Sequence, residues 1–561
     1  MAEILSLKGV EVPCSTNKHF QFSSFAQLIS HLFKKSNKET DSNIPIVILL
    51  PHNPPSTTNS ELEKLSFSEK TLLLTYFFNH LNLVILDESF DKDETDATIA
   101  KASRLLKNRI SRVGNWTGTT HFNCEAGDCL YDSQSKIAGV IPTMSYVLNV
   151  NASRSAQTTD QLIHFKDLLL KEINFFDLLD NSSPKRLSEL CFAVGHWSFP
   201  AHELSNDDLV YCVYLMIAYA IQHVKVADQK DDSLHLLSAN ELLGFVFTVR
   251  DTYRNGNPFH NFRHAVDVLQ ACFHFVIRLG SLPRFQQFIS DPESEYKPQH
   301  NETTELIALK ESPKENISHL NPIQTLGLLI AALGHDVGHP GTTNDFMIKF
   351  NAPTALLFND RSVLESYHSS VFINKVLAVC WPSLLSAKID DKTELTVRSL
   401  IISSILATDM GEHNEYVNRL KSFKTNNEIL NHDNTVKLIS ALLIKCADIS
   451  NVTRPLRVSS QWAMVLSREF AEVETLKNLI NHEDDASSII DLTKDLTYDH
   501  VPDNLQEILT LQPNLQNGQI FFINLFAENL FNNIAELLPQ LQYTCDIISH
   551  NKNFWLERAK S

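Results

Sequence analysis

A mainly α-helical protein preceded by a smaller α/β unit is the fold class this sequence predicts, and three observations carry the prediction. Residues 44–50 (Ile-Pro-Ile-Val-Ile-Leu-Leu) and 81–86 (Leu-Asn-Leu-Val-Ile-Leu) are short apolar runs bounded by Pro, Asn or Asp, the signature of buried strands. From about residue 160 such runs give way to long segments with helical spacing. Loops of Ser, Asn, Asp and Pro separate those segments.

Taken in order, the stretch 61–78 between the two strands reads as a helix, so strand, helix and strand form a βαβ unit. It defines an N-terminal α/β domain over residues 1–155, with a regulatory or structural role expected. The polar run 151–159 reads as a linker. Helices are expected at 161–179, 207–226, 239–253, 263–279, 322–333, 362–379, 394–406, 434–446, 459–480 and 518–538. They compose an all-α domain assigned to residues 185–561, interrupted by two acidic, polar tracts at 291–319 and 481–500 that read as mobile loops.

The chain has 561 residues, 43% hydrophobic and 20% charged, values of an ordinary globular protein. Its net charge of −18 argues against nucleic acid or an anionic membrane as partner. A phosphate substrate would therefore need local positive charge, which bound cations can supply. Nine cysteines, an odd and irregularly spaced set, read as free thiols in a reducing compartment. The N-terminus lacks the pattern of a secretory signal, and no apolar stretch reaches the roughly 20 residues of a membrane span. The expected location is cytoplasmic, with the nucleus also open. Oligomeric state is not readable.

Three segments carry chemistry. The first is His-Asn-Phe-Arg-His-Ala-Val-Asp at 260–267, the second His-Asp-Val-Gly-His-Pro at 335–340, the third Cys-Ala-Asp-Ile-Ser-Asn at 446–451. Helical spacing puts His260, His264 and Asp267 on one face, suited to two metal ligands or to one ligand and one proton donor. The run 322–333 is nearly all apolar, so the titratable cluster at its end needs compensation, which a cation provides. His264, His335, Asp336 and Asp448 make a nitrogen and oxygen donor set without thiolate, which points to hydrolysis rather than to a structural zinc site.

With Val-Leu-Glu at 363–365, Leu-Ala-Thr-Asp-Met at 406–410 and Gln-x-x-Phe at 519–522, these pieces together resemble the class I cyclic nucleotide phosphodiesterases. They occur in that family's order over residues 185–545, and the α/β start looks more like the fungal high-affinity cAMP type. The resemblance implies that His264, His335, Asp336 and Asp448 hold a zinc ion and that Asp336 bridges to a second ion, Mg²⁺ or Mn²⁺. It implies that His339, Glu365 and Thr408 orient water around that ion and that His260 is the general acid. Gln519 would bind the purine edge, Phe522 and Leu466 would sandwich the ring with Phe470 nearby, and Asn451 would line the base pocket.

Two departures stand out. Phe259 occupies a position where many family members carry Tyr, and Phe521 in Gln-Ile-Phe-Phe is expected to reshape the pocket floor. The expected reaction is metal-dependent hydrolysis of 3′,5′-cyclic AMP to 5′-AMP, ending a cAMP signal. The competing readings are a dual or cGMP-preferring enzyme, another His-Asp nucleotide phosphohydrolase, and a binding protein with a degenerate site.

Overall fold

The structure, a computed structural model, describes residues 3–8, 18–36, 46–52, 58–81, 83–87, 152–227, 234–254, 256–307, 320–389, 395–426, 432–481 and 501–560. The N-terminal unit holds strands β1 (Glu3–Leu7), β2 (Lys18–Phe22), β3 (Ile46–Leu50) and β4 (Leu83–Asp87), with helices α1 (Phe25–Ser36) and α2 (Phe67–Phe77). The strands form one parallel sheet in the order β2-β1-β3-β4. All five residues of β3 are buried, as a central parallel strand covered on both faces requires. The two expected strands and the helix between them are present. Residues 61–64 form a separate turn ahead of α2, which starts at Phe67 behind a Ser66/Glu69 capping box.

Helix α3 (Ala152–Glu172) begins where a linker was expected, so the polar run 151–159 is largely the first turns of a helix. Then follow α4 (Pro184–Gly195), α5 (Asn206–Val226), α6 (Ala239–Arg250), α7 (Phe262–Arg278) and α8 (Pro322–Gly334). Every residue of α8 from Ile323 to Gly334 is buried, which places this helix at the centre of the helical body. It packs against α7, α5 and α11 (Val397–Leu406). Of the first polar tract, residues 291–307 pack onto α4: Asn301 N donates to Ser188 Oγ at 2.8 Å, and Leu306 is buried. This part carries no helix or strand, as a loop requires, and is held to α4 at these points. Residues 308–319 and the tract 482–500 lie outside the described residues.

Two expected helices are interrupted. The stretch 362–379 is α10 (Val363–Val371) running into a π-helical turn, Phe372–Leu377, and 518–538 is α16 (Leu515–Phe522), a second π turn at Ile523–Ala527, and α17 (Glu528–Leu537). Helix α9 (Asn344–Lys349) precedes the first of these, and α12 (His413–Asn426), α13 (His432–Asp448), α14 (Leu456–Asn481) and α15 (Leu505–Leu511) lie between them, with α18 (Gln542–Arg558) after the second. Asp448, expected just past a helix, is the last residue of α13.

Candidate active site

His264 sits in the first turn of α7. The helix is started by Asn261, whose side chain accepts the His264 amide at 3.2 Å. His335 and Asp336 follow the buried C-terminus of α8, and Asp448 ends α13. These three helix ends converge. His264 Nε2 lies 3.2 Å from Asp448 Oδ1 and 3.7 Å from Asp336 Oδ2, while His335 Nε2 lies 3.3 Å from both carboxylates.

Bonds of about 2.0–2.1 Å at tetrahedral angles would place donor atoms roughly 3.3–3.4 Å apart, the spacing found here. His335 Nδ1 is 2.9 Å from the Ala332 carbonyl, which aims Nε2 at the carboxylates. That Nε2 is buried and makes no hydrogen bond of good geometry. The residues therefore fit a divalent cation. The electrostatics agree. Burial opposes charge on every member, yet the Asp336 and Asp448 carboxylates hold His335 well above the usual imidazole range. Against the same burial, His335 holds Asp336 low, and His264 with His335 holds Asp448 low.

Asp336 faces a second group with its other oxygen. Oδ1 is 3.6 Å from His368 Nε2, and Asp336, His339 and His368 each bring a ligand-type atom to within 4.8 Å of the others. His339 Nδ1 accepts the Gly341 amide at 3.0 Å, so the neutral ring carries its proton on Nε2 and can donate rather than ligate. Glu365 receives Asn344 Nδ2 on both oxygens, at 3.0 and 3.3 Å. Burial, with Asp409 close by, pushes Glu365 up to about 7. Thr408 donates to Ile405 O at 2.8 Å, which leaves its lone pairs as acceptors. Asp409, not singled out in the sequence, accepts Ser362 Oγ at 2.7 Å.

His260 stacks on His339 with ring centroids 4.0 Å apart, and Asn257 ties the two segments by donating to both carbonyls at 2.8 Å. Its Nδ1 is hydrogen-bonded to Glu469 Oε1, while Glu469 Oε2 accepts the amides of Phe259 (2.9 Å) and His260 (3.1 Å). Burial alone would lower His260, but the Glu469 charge reverses this and raises it to about 9. Sequence reasoning missed Glu469. The available signal was an acidic residue set in the apolar stripe Trp462, Val465, Glu469, Val473 and Leu476 of α14, where it is buried. Asp267, on the same face as the two histidines, turns instead to Arg454 (3.0 Å) and takes no part in the cluster.

Gln519 is buried, and its Oε1 has no hydrogen-bond partner. Phe522 is half-buried with its ring 5.5 Å from Phe526, and Leu466 is half-buried. Asn451 is buried and accepts the Val452 amide at 3.0 Å on Oδ1, leaving Nδ2 to donate. Phe470 is 51% exposed; Phe521 is 63% exposed and faces solvent rather than a pocket floor. Phe259 packs on His264 (4.5 Å) and Trp462 (5.5 Å), a purely apolar role.

A family profile described as 3′5′-cyclic nucleotide phosphodiesterase matches residues 259–548. The chain is 29% identical over 525 residues to 3′,5′-cyclic-nucleotide phosphodiesterase 2 of Saccharomyces cerevisiae, covering 89% of this chain and 86% of that protein. It is also 29% identical over 328 residues to the cGMP-specific 3′,5′-cGMP phosphodiesterase 3 of Dictyostelium discoideum, covering 58% and 57% respectively. The crystal structure of yeast caPDE2 in complex with IBMX superposes with a TM-score of 0.87 at 65% identity over 100% of both chains.

Proposed function

The chain belongs to the 3′5′-cyclic nucleotide phosphodiesterase family, and from that premise we propose that it hydrolyses the 3′ phosphoester of 3′,5′-cyclic AMP to give 5′-AMP. One observation carries the reading. Four candidate ligand side chains from three segments meet within 4.8 Å beside a partly buried histidine–glutamate pair.

In this reading His264, His335, Asp336 and Asp448 would hold a zinc ion. Asp336 would share a second ion, Mg²⁺ or Mn²⁺, with water oriented by His339, Glu365 and Thr408. When bound, the ions supply Lewis acidity, acidifying the attacking water and neutralising charge that builds on the phosphoryl group. Water adds to phosphorus as the bond to the 3′ oxygen breaks. His260, kept as imidazolium by Glu469, gives its proton to that departing oxygen. Glu469 also fixes the ring, so the donor is presented without reorganisation.

Phe522 and Leu466 would sandwich the purine, with Phe470 at the rim and Asn451 donating to the base. The buried Gln519 amide, which offers both a donor and an acceptor, would bind the purine edge. A cytoplasmic or nucleocytoplasmic setting is supported by the six described cysteines, all free thiols. One described helix, Asn206–Val226, is long and apolar enough to cross a membrane, and 67% of that apolar stretch is buried in the protein.

The test is a substrate panel of cAMP, cGMP and noncyclic nucleotides with and without chelator. The proposal predicts metal-dependent turnover of cAMP ahead of cGMP. Turnover of noncyclic nucleotides alone would assign a different phosphohydrolase, and no turnover with metal bound would assign a binding protein.

A further inference from the structure

Among the described residues, none of the N-terminal unit lies in the ligand cluster, yet the unit touches both elements that support it. The segment from Leu333 to Gly338, which carries His335 and Asp336, is backed first by the chain that follows α6. Tyr253 donates to Leu333 O at 2.7 Å and accepts the Asp336 amide at 3.4 Å, and Thr252 O accepts the Gly338 amide at 3.0 Å. It is backed second by the π turn at Phe372–Leu377. The Phe372 ring lies flat against Gly334, so closely that a β-carbon there would fall 2.3 Å from it.

The N-terminal unit holds each of these supports. Arg250, at the end of α6, donates to Phe33 O of α1 at 2.8 Å, and the Phe33 ring packs on Phe247 at 5.9 Å. Asp251 faces His80 at 4.0 Å, and His80 is bonded to Ser36 at 2.7 Å. Tyr76 of α2 donates its hydroxyl to Lys375 O inside the π turn. Its ring is buried, lies edge-on to Phe77 at 5.0 Å, and sits 5.7 Å from the Lys375 ammonium.

We propose that the N-terminal unit is a built-in support for the metal-ligand turn, and that Tyr76 is its positioning residue, acting through Lys375 O, Phe372 and Gly334. A π turn departs from the regular helical ladder and is a place where a helix is set by outside contacts. Fixing it from the N-terminal unit fixes the ring that presses on the backbone one residue before His335. Outer contacts of this kind tune metal affinity. The proposal rests on the metal-site reading above.

The experiment uses the full chain and Tyr76→Phe, which removes one oxygen and keeps the ring packing. Chelated protein is titrated with Zn²⁺ and Mg²⁺, reading both metal content and regained activity. The expected result is a midpoint for regained activity raised on the order of 3- to 10-fold, the range one hydrogen bond is worth. At saturating metal kcat returns and KM for nucleotide is unchanged. Phe20→Ala, on the outer strand β2, should leave the midpoint alone. Equal midpoints for wild type and Tyr76→Phe would overturn the proposal, as would a loss of activity that excess metal does not restore. A wild-type protein that takes up no metal would instead overturn the reading of the site. Should Tyr76→Phe fail to fold, Ser36→Ala, which removes the bond to His80 beside Asp251, carries the same test with the same outcomes.

Discussion

Glu469→Gln isolates the charge that keeps His260 protonated. Burial by itself would depress the imidazole, and the adjacent carboxylate outweighs it, leaving His260 at about 9. The folded value is raised, so the imidazolium persists from neutral pH upward and is lost as pH passes through about 9. Gln is nearly isosteric and carries no charge; its one acceptor oxygen can serve either the Nδ1 proton or the Phe259 and His260 amides, not both. The ring then returns to, or below, its ordinary value of about 6.5. At about pH 8 the imidazolium fraction would fall from ~0.9 to ~0.03, a loss of roughly 30-fold in kcat/KM for a reaction needing that proton. The assay is kcat/KM for cAMP across neutral to alkaline pH at saturating metal. The alkaline limb should move down by about two pH units or more, with much of the rate recovered on the acid side. An unmoved limb, or a uniform drop at every pH, would refute the role given to the pair.

Other substitutions separate the parts of the site. His260→Ala should lower turnover by roughly 10²–10⁴-fold with metal content intact, measured by steady-state kinetics alongside elemental analysis; lost metal would make His260 a ligand instead. Gln519→Ala should raise KM for cAMP by on the order of tenfold with little effect on bound metal, since one amide contact to the base is removed. Asp267→Asn should reduce thermal stability by about 1–3 kcal/mol, because it weakens the buried pair with Arg454. It should leave metal content unchanged, whereas lost metal would make Asp267 a ligand.

How much was legible follows from what each residue must do. The proposed ligands stood out because His335 and Asp336 end an apolar run in which charge has no other reason to occur, and the structure brings them within 4.8 Å of His264 and Asp448. Strands β3 and β4 were readable from their continuous apolar runs, whereas β2 was not. It is a mostly exposed edge strand, Lys-His-Phe-Gln-Phe, with no buried alternation to mark it. The two π turns were invisible, since one extra residue in a helix barely changes the spacing of apolar side chains. Partners distant in sequence were invisible too. Nothing in a single sequence couples His260 to Glu469, 209 positions away, or Asp267 to Arg454, 187 positions away. The contacts of 291–307 were not legible for a related reason, because polar composition alone does not show that Asn301 and Tyr296 have partners on α4.

Elemental analysis paired with activity tests the central claim most directly. Purified, folded protein should carry tightly held zinc and an exchangeable second ion. Asp448→Ala should lose the zinc, and stripping the wild type should abolish cAMP hydrolysis until metal is returned. Metal-free protein that hydrolyses cAMP at the undiminished rate would contradict the account at its foundation.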